Sequence, residues 1–427
     1  MSLALTILFL IFLFIIHIPI AFALGIAATA YMLISDIDLI IVSQQVANGP
    51  DSWILLAMPL FVMVGLLMNT TGIAHRLIRF ADALVGHLRG GLAIVNIIAS
   101  MIFGGISGSA VADTAALGSI LIPAMEKEGY EKSFIAALTS SSASIGIIIP
   151  PSITMIVYGA VSNTPLGALF IAGMIPGILV GISQMIVAFI LAKKNNWGIR
   201  TPFLLSKLIK TAMSAFWGLI MPAIVIGGIV SGVFTPTEAG AVGVVYGILI
   251  SLFFYKSITF KNLYRVLVDS AVLTSVVMIV IATSYTLSWV LTHQQIPQIA
   301  AEIFLNLSNN PSIILILTSF VLIIAGCILH GDPMVLIIVP LVLPSVLNMG
   351  IDLIHFGMLV VFCCAIGQQT PPVGSTLFVV SAISGVDMMK ITRSNLPFIC
   401  LFILLLSLLI FVPEIVMFLP NAVFPTK

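Results

Sequence analysis

The sequence predicts an all-α polytopic membrane protein made of two inverted repeats, and three observations carry that prediction. The 427-residue chain is 60% hydrophobic and only 7% charged, whereas a soluble domain carries about 25% charged residues. Uncharged runs of about 20 residues recur from end to end, and each is long enough to span a bilayer. Landmark residues of the first half recur in the second half at one constant offset.

The apolar runs set the expected order of spans. The N-terminal run MSLALTILFLIFLFII resembles the core of a signal peptide but lacks a basic start and a small-residue cleavage site, so it predicts a retained helix. All four cysteines lie in apolar segments, which favours core packing over redox chemistry. Candidate spans and half-spans are 3–23, 24–42, 53–69, 91–125, 133–149, 152–163, 172–192, 213–232, 238–255, 268–291, 311–349, 354–369, 373–386 and 396–418.

The internal repeat divides the chain at about 1–210 and 211–427. The shift that places Gly146 on Gly367 also places Pro150–Pro151 on Pro371–Pro372, and Asp113 meets Asp332 after a two-residue adjustment. Several landmarks in one register indicate two related halves.

Charge placement predicts that the halves are inverted. Segments 75–89 and 126–132 are basic or mixed, while their partners at 296–310 and 347–353 contain no Lys or Arg. The relation reverses at the uncharged segment 163–170, whose partner region holds Lys390 and Arg393. Because basic loops stay on the cytoplasmic side, equivalent loops of the two halves face opposite sides. Inverted repeats are common among secondary transporters.

Two segments, 75–89 and 296–308, place apolar residues on one helical face and polar residues on the other. That pattern is typical of helices lying along the membrane interface. We expect such arm helices at about 73–90 and 293–310. The alternative is that each is the polar end of a spanning helix.

Two hairpins are expected where the chain is too short for two full spans. With a helical rise of about 1.5 Å per residue, piece 91–103 reaches only halfway across a bilayer, which predicts a re-entrant hairpin with its tip near 105–113. Segments 311–326 and 333–349 flank a second tip at 326–333. Two ordinary helices packed through small residues are the alternative.

The proline pairs predict helices broken at membrane depth. Proline lacks the N–H that would bond the carbonyl four residues earlier, so Pro150 and Pro371 free the carbonyls of Gly146 and Gly367. Broken helix ends with free carbonyls bind coupling ions in transporters, which makes Na⁺ the expected occupant. A plain kink satisfied by neighbours or water is the alternative.

Hydroxyl and acidic side chains cluster at both breaks and tips. Asp113 and Asp332 could bind a cation, relay protons or cap a half-helix, and we expect the capping or organising role. His330 beside Asp332 could titrate, but its repeat partner is not a histidine. The predicted substrate-binding residues are the hydroxyl side chains of Ser107, Ser109, Ser152, Thr154, Ser375 and Thr376.

The sequence argues against direct use of ATP and against enzyme activity. No GxxxxGK[ST] loop exists to bind ATP, and no metal-ligand spacing or nucleophile–base pair stands out, so we expect no enzyme activity. No Lys or Arg falls in the predicted membrane core, so an anion would be held by half-helix N-termini, hydroxyls and Na⁺. A channel lined by the hairpins is the alternative from another class.

Three motifs resemble the large membrane subunit of TRAP (tripartite ATP-independent periplasmic) transporters, and the similarity runs over essentially the whole chain. They are GGISGSAVADTAALGSILIP (104–123), SASIGIIIPPSITMIVYG (142–159) and AIGQQTPPVGSTLFV (365–379). The resemblance implies a Na⁺-coupled importer of organic acids, such as sialic acid, other sugar acids or dicarboxylates, in the bacterial inner membrane. It also implies an elevator mechanism, a separate small four-helix membrane subunit and a periplasmic substrate-binding protein. A stand-alone sodium/carboxylate symporter or exchanger of similar fold is the alternative.

The family likeness also implies two Na⁺ sites and an elevator division within a single membrane domain. The scaffold would be about 1–72, 172–292 and 396–427, and the moving core about 91–171 and 311–395. The first Na⁺ site would use Ser107, Gly146, Ile149 and Pro151, and the second Gly326, Gly367, Thr370 and Val373, mostly through backbone carbonyls.

Overall fold

The computed structural model describes residues 3–16, 18–198, 202–299, 302, 308 and 310–424, and every regular element in these ranges is helical. By length and composition, seven of the described helices can cross a membrane, or eight if the bent pair α4–α5 is one span. The elements are α1 (Leu3–Ile15), α2 (Ile20–Ile34), α3 (Ile40–Asn48), α4 (Ala57–Thr70), α5 (Ile73–Val85), α6 (Gly91–Ser107), α7 (Ala110–Lys127), α8 (Lys132–Ala143), a 3₁₀ turn (Ser144–Ile147), α9 (Ile153–Ser162), α10 (Leu166–Asn195), α11 (Leu205–Val230), α12 (Pro236–Leu249) with a π-helical extension (Ile250–Phe254), α13 (Phe260–His293), α14 (Pro311–Ile328), α15 (Gly331–Asn348), α16 (Leu353–Gln368), α17 (Ser375–Ser384), α18 (Met388–Phe411) and α19 (Glu414–Val423).

The N-terminal spans differ from the expected 3–23 and 24–42, because this stretch forms three helices. α1 ends at Ile15 and α2 begins after Pro19. Proline disfavours helical backbone in the residue before it and cannot continue the hydrogen-bond ladder. The third helix, α3, is a short element with no buried residue.

The first predicted arm forms the helix α5, which is bent by 69° from α4; its place along the membrane interface stays a prediction. Its buried face is centred on Ile73, Leu77 and Ala81, whereas Leu84 in the same helix and Leu88 beyond its end are each 38% exposed. α5 packs on α6 and α11, and the Asp82–Lys207 ion pair (2.7 Å) joins it to α11. Of the second predicted arm, 293–310, positions 300, 301, 303–307 and 309 lie outside the described residues.

Each predicted hairpin consists of two helices joined by a two-residue tip. That the pairs re-enter the membrane rather than cross it stays a prediction, since both helices of the second pair, α14 and α15, are long and apolar enough to cross. Gly108 and Ser109 join α6 to α7, and Leu329 and His330 join α14 to α15. Gly108 has a φ of +63°, a left-handed conformation that glycine adopts without steric cost. The expected half-length first arm is wrong, because α6 has 17 residues and is therefore about 25 Å long.

The repeat is visible in the order of elements. Helices α6 to α10 begin at positions 91, 110, 132, 153 and 166, and α14 to α18 begin at positions 311, 331, 353, 375 and 388, with nearly the same spacing. The packing between the halves is reciprocal, since α9 packs on α15 and α17 packs on α7. Such exchanged contacts are the pattern expected of a pseudo-two-fold relation. The opposite orientation of the halves in the membrane stays a prediction.

Two continuous helices run across the predicted scaffold boundaries at 171/172 and 395/396. α10 packs on α6, α16 and α18, and α18 packs on α8 and α16. By contrast, α2 and α4 pack on α13, and α12 packs on α4 and α11. The helices therefore form two groups: α1–α5 with α11–α13, and α6–α10 with α14–α19.

Candidate functional site

Each hairpin meets its broken helix through a contact between two glycines. A side chain at Gly146 would collide with Asp113 Oδ2, and its Cβ would lie 3.1 Å from the Cα of Gly104. A Cβ at Gly367 would lie 2.7 Å from the Cα of Gly326. Only glycine allows backbones to approach this closely. The two junctions therefore have the same construction, one in each repeat.

The first break leaves backbone oxygens without helical partners. α8 tightens into the 3₁₀ turn, and the amide of Ile149 donates to the carbonyl of Ile145 (2.9 Å). Because Pro150 and Pro151 have no N–H to donate, the carbonyl of Gly146 receives no backbone hydrogen bond from the described residues. The prediction of an available Gly146 carbonyl agrees with this geometry.

The second break differs, and the prediction of a freed Gly367 carbonyl is wrong. The amide of Thr370 donates to the Gly367 carbonyl (3.1 Å). The hydroxyl of Thr376 donates to the carbonyl of Gln368 (2.7 Å). Local donors thus replace the bonds that Pro371 and Pro372 remove.

Asp113 connects the two arms of the first hairpin rather than capping a helix. It is fully buried, and its Oδ1 accepts a hydrogen bond from the Ser107 hydroxyl. The N-cap of α7 is Ser109, whose hydroxyl oxygen accepts from the amide of Ala112 (3.4 Å). Asp113 Oδ2 has no partner among the described residues and faces Gly146. A buried carboxylate oxygen without a donor is costly unless a cation or a proton satisfies it.

Asp332 is not the structural counterpart of Asp113. Its Oδ1 accepts a hydrogen bond from the hydroxyl of Thr154 (3.0 Å), which belongs to the other repeat. The cap of α15 is His330, whose Nδ1 accepts from the amide of Gly331 (2.7 Å). Asp332 therefore joins the repeats at the wall of a cavity, while Asp113 lies inside the first junction.

The residues predicted for Na⁺ lie at the two junctions. At the first, the amide of Ile153 donates to the carbonyl of Gly108 (3.3 Å) and a Cβ at Gly108 would lie 2.6 Å from the carbonyl oxygen of Pro151. At the second, Val373 donates its amide to the carbonyl of Cys327 (3.1 Å). The Thr370 hydroxyl donates to the carbonyl of Ile366 (2.6 Å). Oxygen ligands suit a hard cation, and the first junction offers the unpartnered Asp113 Oδ2 beside the unbonded Gly146 carbonyl.

A cavity of about 580 Å³ lies between the hairpin tips on one side and α2, α4 and α13 on the other. Of the predicted substrate-binding residues, Ser107, Ser109 and Thr154 line it. Ser152, Ser375 and Thr376 do not; Ser152 caps α9, and Thr376 bonds to Gln368 and Ser140. The wall opposite α2, α4 and α13 is formed by Phe103, Ser107, Gly108, Ser109, Ala110, Val111, Ala112, Ile147, Ile153, Thr154, His330, Asp332, Pro333 and Gln368.

A buried polar network between α6 and α8 was not anticipated from the sequence. Asn96 donates to Thr139 (2.8 Å) and accepts from the hydroxyl of Ser142 (3.1 Å), and Ser100 donates to Ser142 (3.0 Å). All four side chains are at most 1% exposed. The signal was available, because a run of hydroxyl residues precedes Gly146. The equivalent positions of the second repeat hold Leu317, Val321, Val360 and Cys363.

We expect Asn96→Leu alone to destabilise the protein by about 1–3 kcal/mol, because it removes the hydrogen bonds of Asn96 to Thr139 and Ser142 in a buried cluster. The variant that also carries Ser100→Val, Thr139→Val and Ser142→Cys copies the second repeat and should cost less. Thermal unfolding in detergent measures both. A fourfold variant less stable than the single one would contradict this prediction.

The fold and site define a polytopic membrane transport protein, with paired hairpin–break junctions beside one central cavity. The chain belongs to the family described as "Tripartite ATP-independent periplasmic transporter, DctM component", which matches residues 7–415. It is a multi-pass protein of the bacterial inner membrane and the large permease of an ATP-independent secondary transporter for organic acids. The resemblance in the three motifs is thereby confirmed.

Named relatives cover nearly the whole chain. The C4-dicarboxylate TRAP transporter large permease protein DctM of Pseudomonas aeruginosa is 40% identical over 87% of this chain and 87% of its own length. The sialic acid TRAP transporter large permease protein SiaM of Vibrio cholerae is 37% identical over 94% and 95%. These relatives are permeases rather than enzymes. The crystal structure of the Alcanivorax borkumensis YdaH transporter shares the fold, with a TM-score of 0.59, 13% identity and coverage of 87% and 86%.

Proposed function

We propose that this chain is the membrane-embedded transport subunit of a Na⁺-coupled, binding-protein-dependent importer of organic acids that works by an elevator mechanism. Sialic acid, other sugar acids and dicarboxylates are the substrate types that the relatives' names support. The observation that carries the proposal is the cavity between the two groups of helices, with residues of both hairpin tips and residues flanking both breaks on one wall.

Coupling to Na⁺ is supported by the first junction. Asp113 Oδ2 is buried without a donor, and the Gly146 carbonyl receives no backbone bond, among the described residues. The Ser107 hydroxyl, which bonds to Asp113, also lines the cavity. A cation here would satisfy oxygens inside the junction and stabilise the tip against which the substrate binds. Ion and substrate binding would then favour each other, as linkage requires.

The elevator proposal uses the two groups defined by packing. The moving core would be α6–α10 with α14–α19, which extends the predicted core to include all of α10 and α18 and adds α19, predicted as scaffold. The scaffold would be α1–α5 with α11–α13. The contacts between the groups are made mainly by α4 and α5 against α6 and by α13 against α15, so movement there would carry the cavity wall as one unit.

Two partners complete the proposed transporter: a small four-helix membrane subunit and a periplasmic substrate-binding protein. The test is uptake of radiolabelled organic acids into proteoliposomes with each component present or omitted. Uptake should require both partners and an inward Na⁺ gradient. Uptake that follows a proton gradient without Na⁺ would refute the coupling, and uptake by this chain alone would favour the stand-alone symporter.

A further inference from the structure

The cavity wall is built from equivalent positions of the two repeats that carry different chemistry. In the repeat register that pairs Gly146 with Gly367, Ser109 corresponds to His330, Val111 to Asp332, and Ile147 to Gln368. The six residues that form the pairs 109/330, 111/332 and 147/368 all line the cavity. The second repeat thus places a carboxylate and an amide where the first repeat has valine and isoleucine. The two repeats therefore contribute different polar groups to the cavity, and each set suits a different part of a ligand.

The cavity-lining residues of the second repeat offer a mixture of hydrogen-bond acceptors and donors. Gln368 is 2% exposed, and its Oε1 has no hydrogen-bond partner in the described part of the chain. Asp332 uses Oδ1 for the Thr154 hydroxyl, which leaves Oδ2 to accept from a ligand. The Nδ1 of His330 is taken by the amide of Gly331, so Nε2 is the nitrogen available to a ligand. Hydroxyl groups both donate and accept, and they satisfy such a set.

The cavity-lining residues of the first repeat, at the first hairpin tip, suit a carboxylate. The hydroxyl oxygen of Ser109 accepts from the amide of Ala112, which leaves its O–H to donate to a ligand, and the N-terminus of α7 reaches the cavity at Ala110 and Val111. The one O–H of Ser107 and the amide of Ile153 already donate, to Asp113 and to the carbonyl of Gly108. The first amides of a helix have no intrahelical partner and carry partial positive charge. A carboxylate accepts hydrogen bonds from hydroxyls and amides of this kind.

A second carboxylate has no comparable place. Among the described residues, those that line the cavity include no Lys or Arg, and Asp332 is the one acidic side chain. A dicarboxylate bound with one end at the first hairpin tip would bring its other end toward Asp332, and two carboxylates in one site repel each other. The same Asp332 attracts the hydroxyl groups of a neutral chain.

We propose that the substrate is a polyhydroxylated monocarboxylate, held with its carboxylate at the first hairpin tip and its hydroxyls at Asp332 and Gln368. This assignment rests on the proposed transport function and narrows its substrate class. It departs from the C4-dicarboxylate named for the Pseudomonas aeruginosa relative.

The test compares six-carbon acids on the purified full-length chain in detergent with Na⁺. The probes are aldonates (gluconate, galactonate, mannonate and gulonate), hexanoate, which lacks the hydroxyls, and adipate, which adds a carboxylate. Isothermal titration calorimetry should give tightest binding for at least one aldonate. Hexanoate and adipate should bind about tenfold more weakly or worse, since a lost hydrogen bond to a buried polar group costs about that factor.

Two variants assign the preference to the second repeat. Asp332→Asn should weaken aldonate binding and strengthen adipate binding, because it removes the repelling charge. Gln368→Ile, which copies the first repeat, should weaken aldonate binding and leave hexanoate unchanged. Changes of opposite sign for two ligands do not arise from misfolding. Asp269→Asn and Gln44→Ile are the controls, since both positions lie away from the cavity wall. These substitutions should change neither the aldonate-to-adipate nor the aldonate-to-hexanoate affinity ratio.

Binding in which hexanoate or adipate equals or exceeds every aldonate overturns the assignment, as does an Asp332→Asn variant with an unchanged aldonate-to-adipate ratio. Na⁺-dependent uptake of a dicarboxylate in the complete system would retain the proposed function and reject this substrate class. Aldonate binding that is unchanged when choline replaces Na⁺ would retain this substrate class and reject the proposed Na⁺ coupling.

Discussion

Gly146→Ala is expected to abolish Na⁺-dependent uptake, with a loss of at least about 100-fold. The added Cβ would collide with Asp113 Oδ2 and press on Gly104, in a fully buried junction where overpacking costs about 1–3 kcal/mol. The cheapest relief is a shift of the hairpin tip, which moves the Ser107 hydroxyl and the Gly146 carbonyl apart. A coupling ion would then lose two of its proposed ligands. Initial uptake rates in proteoliposomes as a function of Na⁺ concentration measure the effect.

Gly227→Ala is the matched control, because Gly227 lies inside α11 and a Cβ there would meet nothing within 4 Å. Alanine is favoured over glycine in helices by up to about 1 kcal/mol, so this variant should be as stable as the parent and transport normally. Size-exclusion profiles and thermal unfolding separate loss of folding from loss of Na⁺ response. A folded Gly146→Ala variant with parental Na⁺ dependence would rule out the first junction as the coupling site.

The two junctions show which parts of the site the sequence can predict. Proline identifies with certainty which N–H groups are missing, so the breaks after Gly146 and Gly367 followed from residue type alone. It does not identify the donors that replace them. At the second break, the Thr370 amide and the Thr376 hydroxyl donate to the carbonyls that the prolines leave without a partner. Their positions depend on a turn conformation that residue type does not determine. The two Na⁺ sites that the family likeness implies are therefore less alike in their hydrogen bonding than the repeated sequence suggests.

Long-range partners were likewise beyond the sequence. The pairing of Thr154 with Asp332 joins residues 178 positions apart, and no periodicity reports a contact across two repeats. Asp113 and Asp332 look alike as acidic residues near helix starts, yet one is enclosed in a junction and the other lines a cavity. Local rules predicted the hairpins and the broken helices. The three-dimensional packing decided which aspartate faces which space.

A disulfide between α10 and α11 should stop transport, which is the second large effect expected. In a variant with all four native cysteines replaced by alanine, Gly167→Cys and Ile229→Cys bring two thiols together, because a Cβ at Gly167 would lie 3.2 Å from Ile229 Cγ2. Gly167 belongs to the proposed moving core and Ile229 to the scaffold. An elevator cannot move with the two covalently joined, so oxidation should reduce uptake at least about tenfold and reduction should restore it.

The control bridge joins two scaffold helices. Gly25→Cys with Thr283→Cys links α2 to α13, where the Cβ-to-Cβ distance of 3.7 Å suits a disulfide. Both helices stay together in the proposed movement, so this bridge should leave uptake unchanged. Mass spectrometry of non-reduced peptides establishes that each bridge has formed. Full uptake with a quantitatively formed bridge between positions 167 and 229 would show that α10 does not move relative to α11, and transport would then have to arise within the hairpins alone. Because the two bridges differ only in whether they cross between the groups, their contrast tests the elevator division itself.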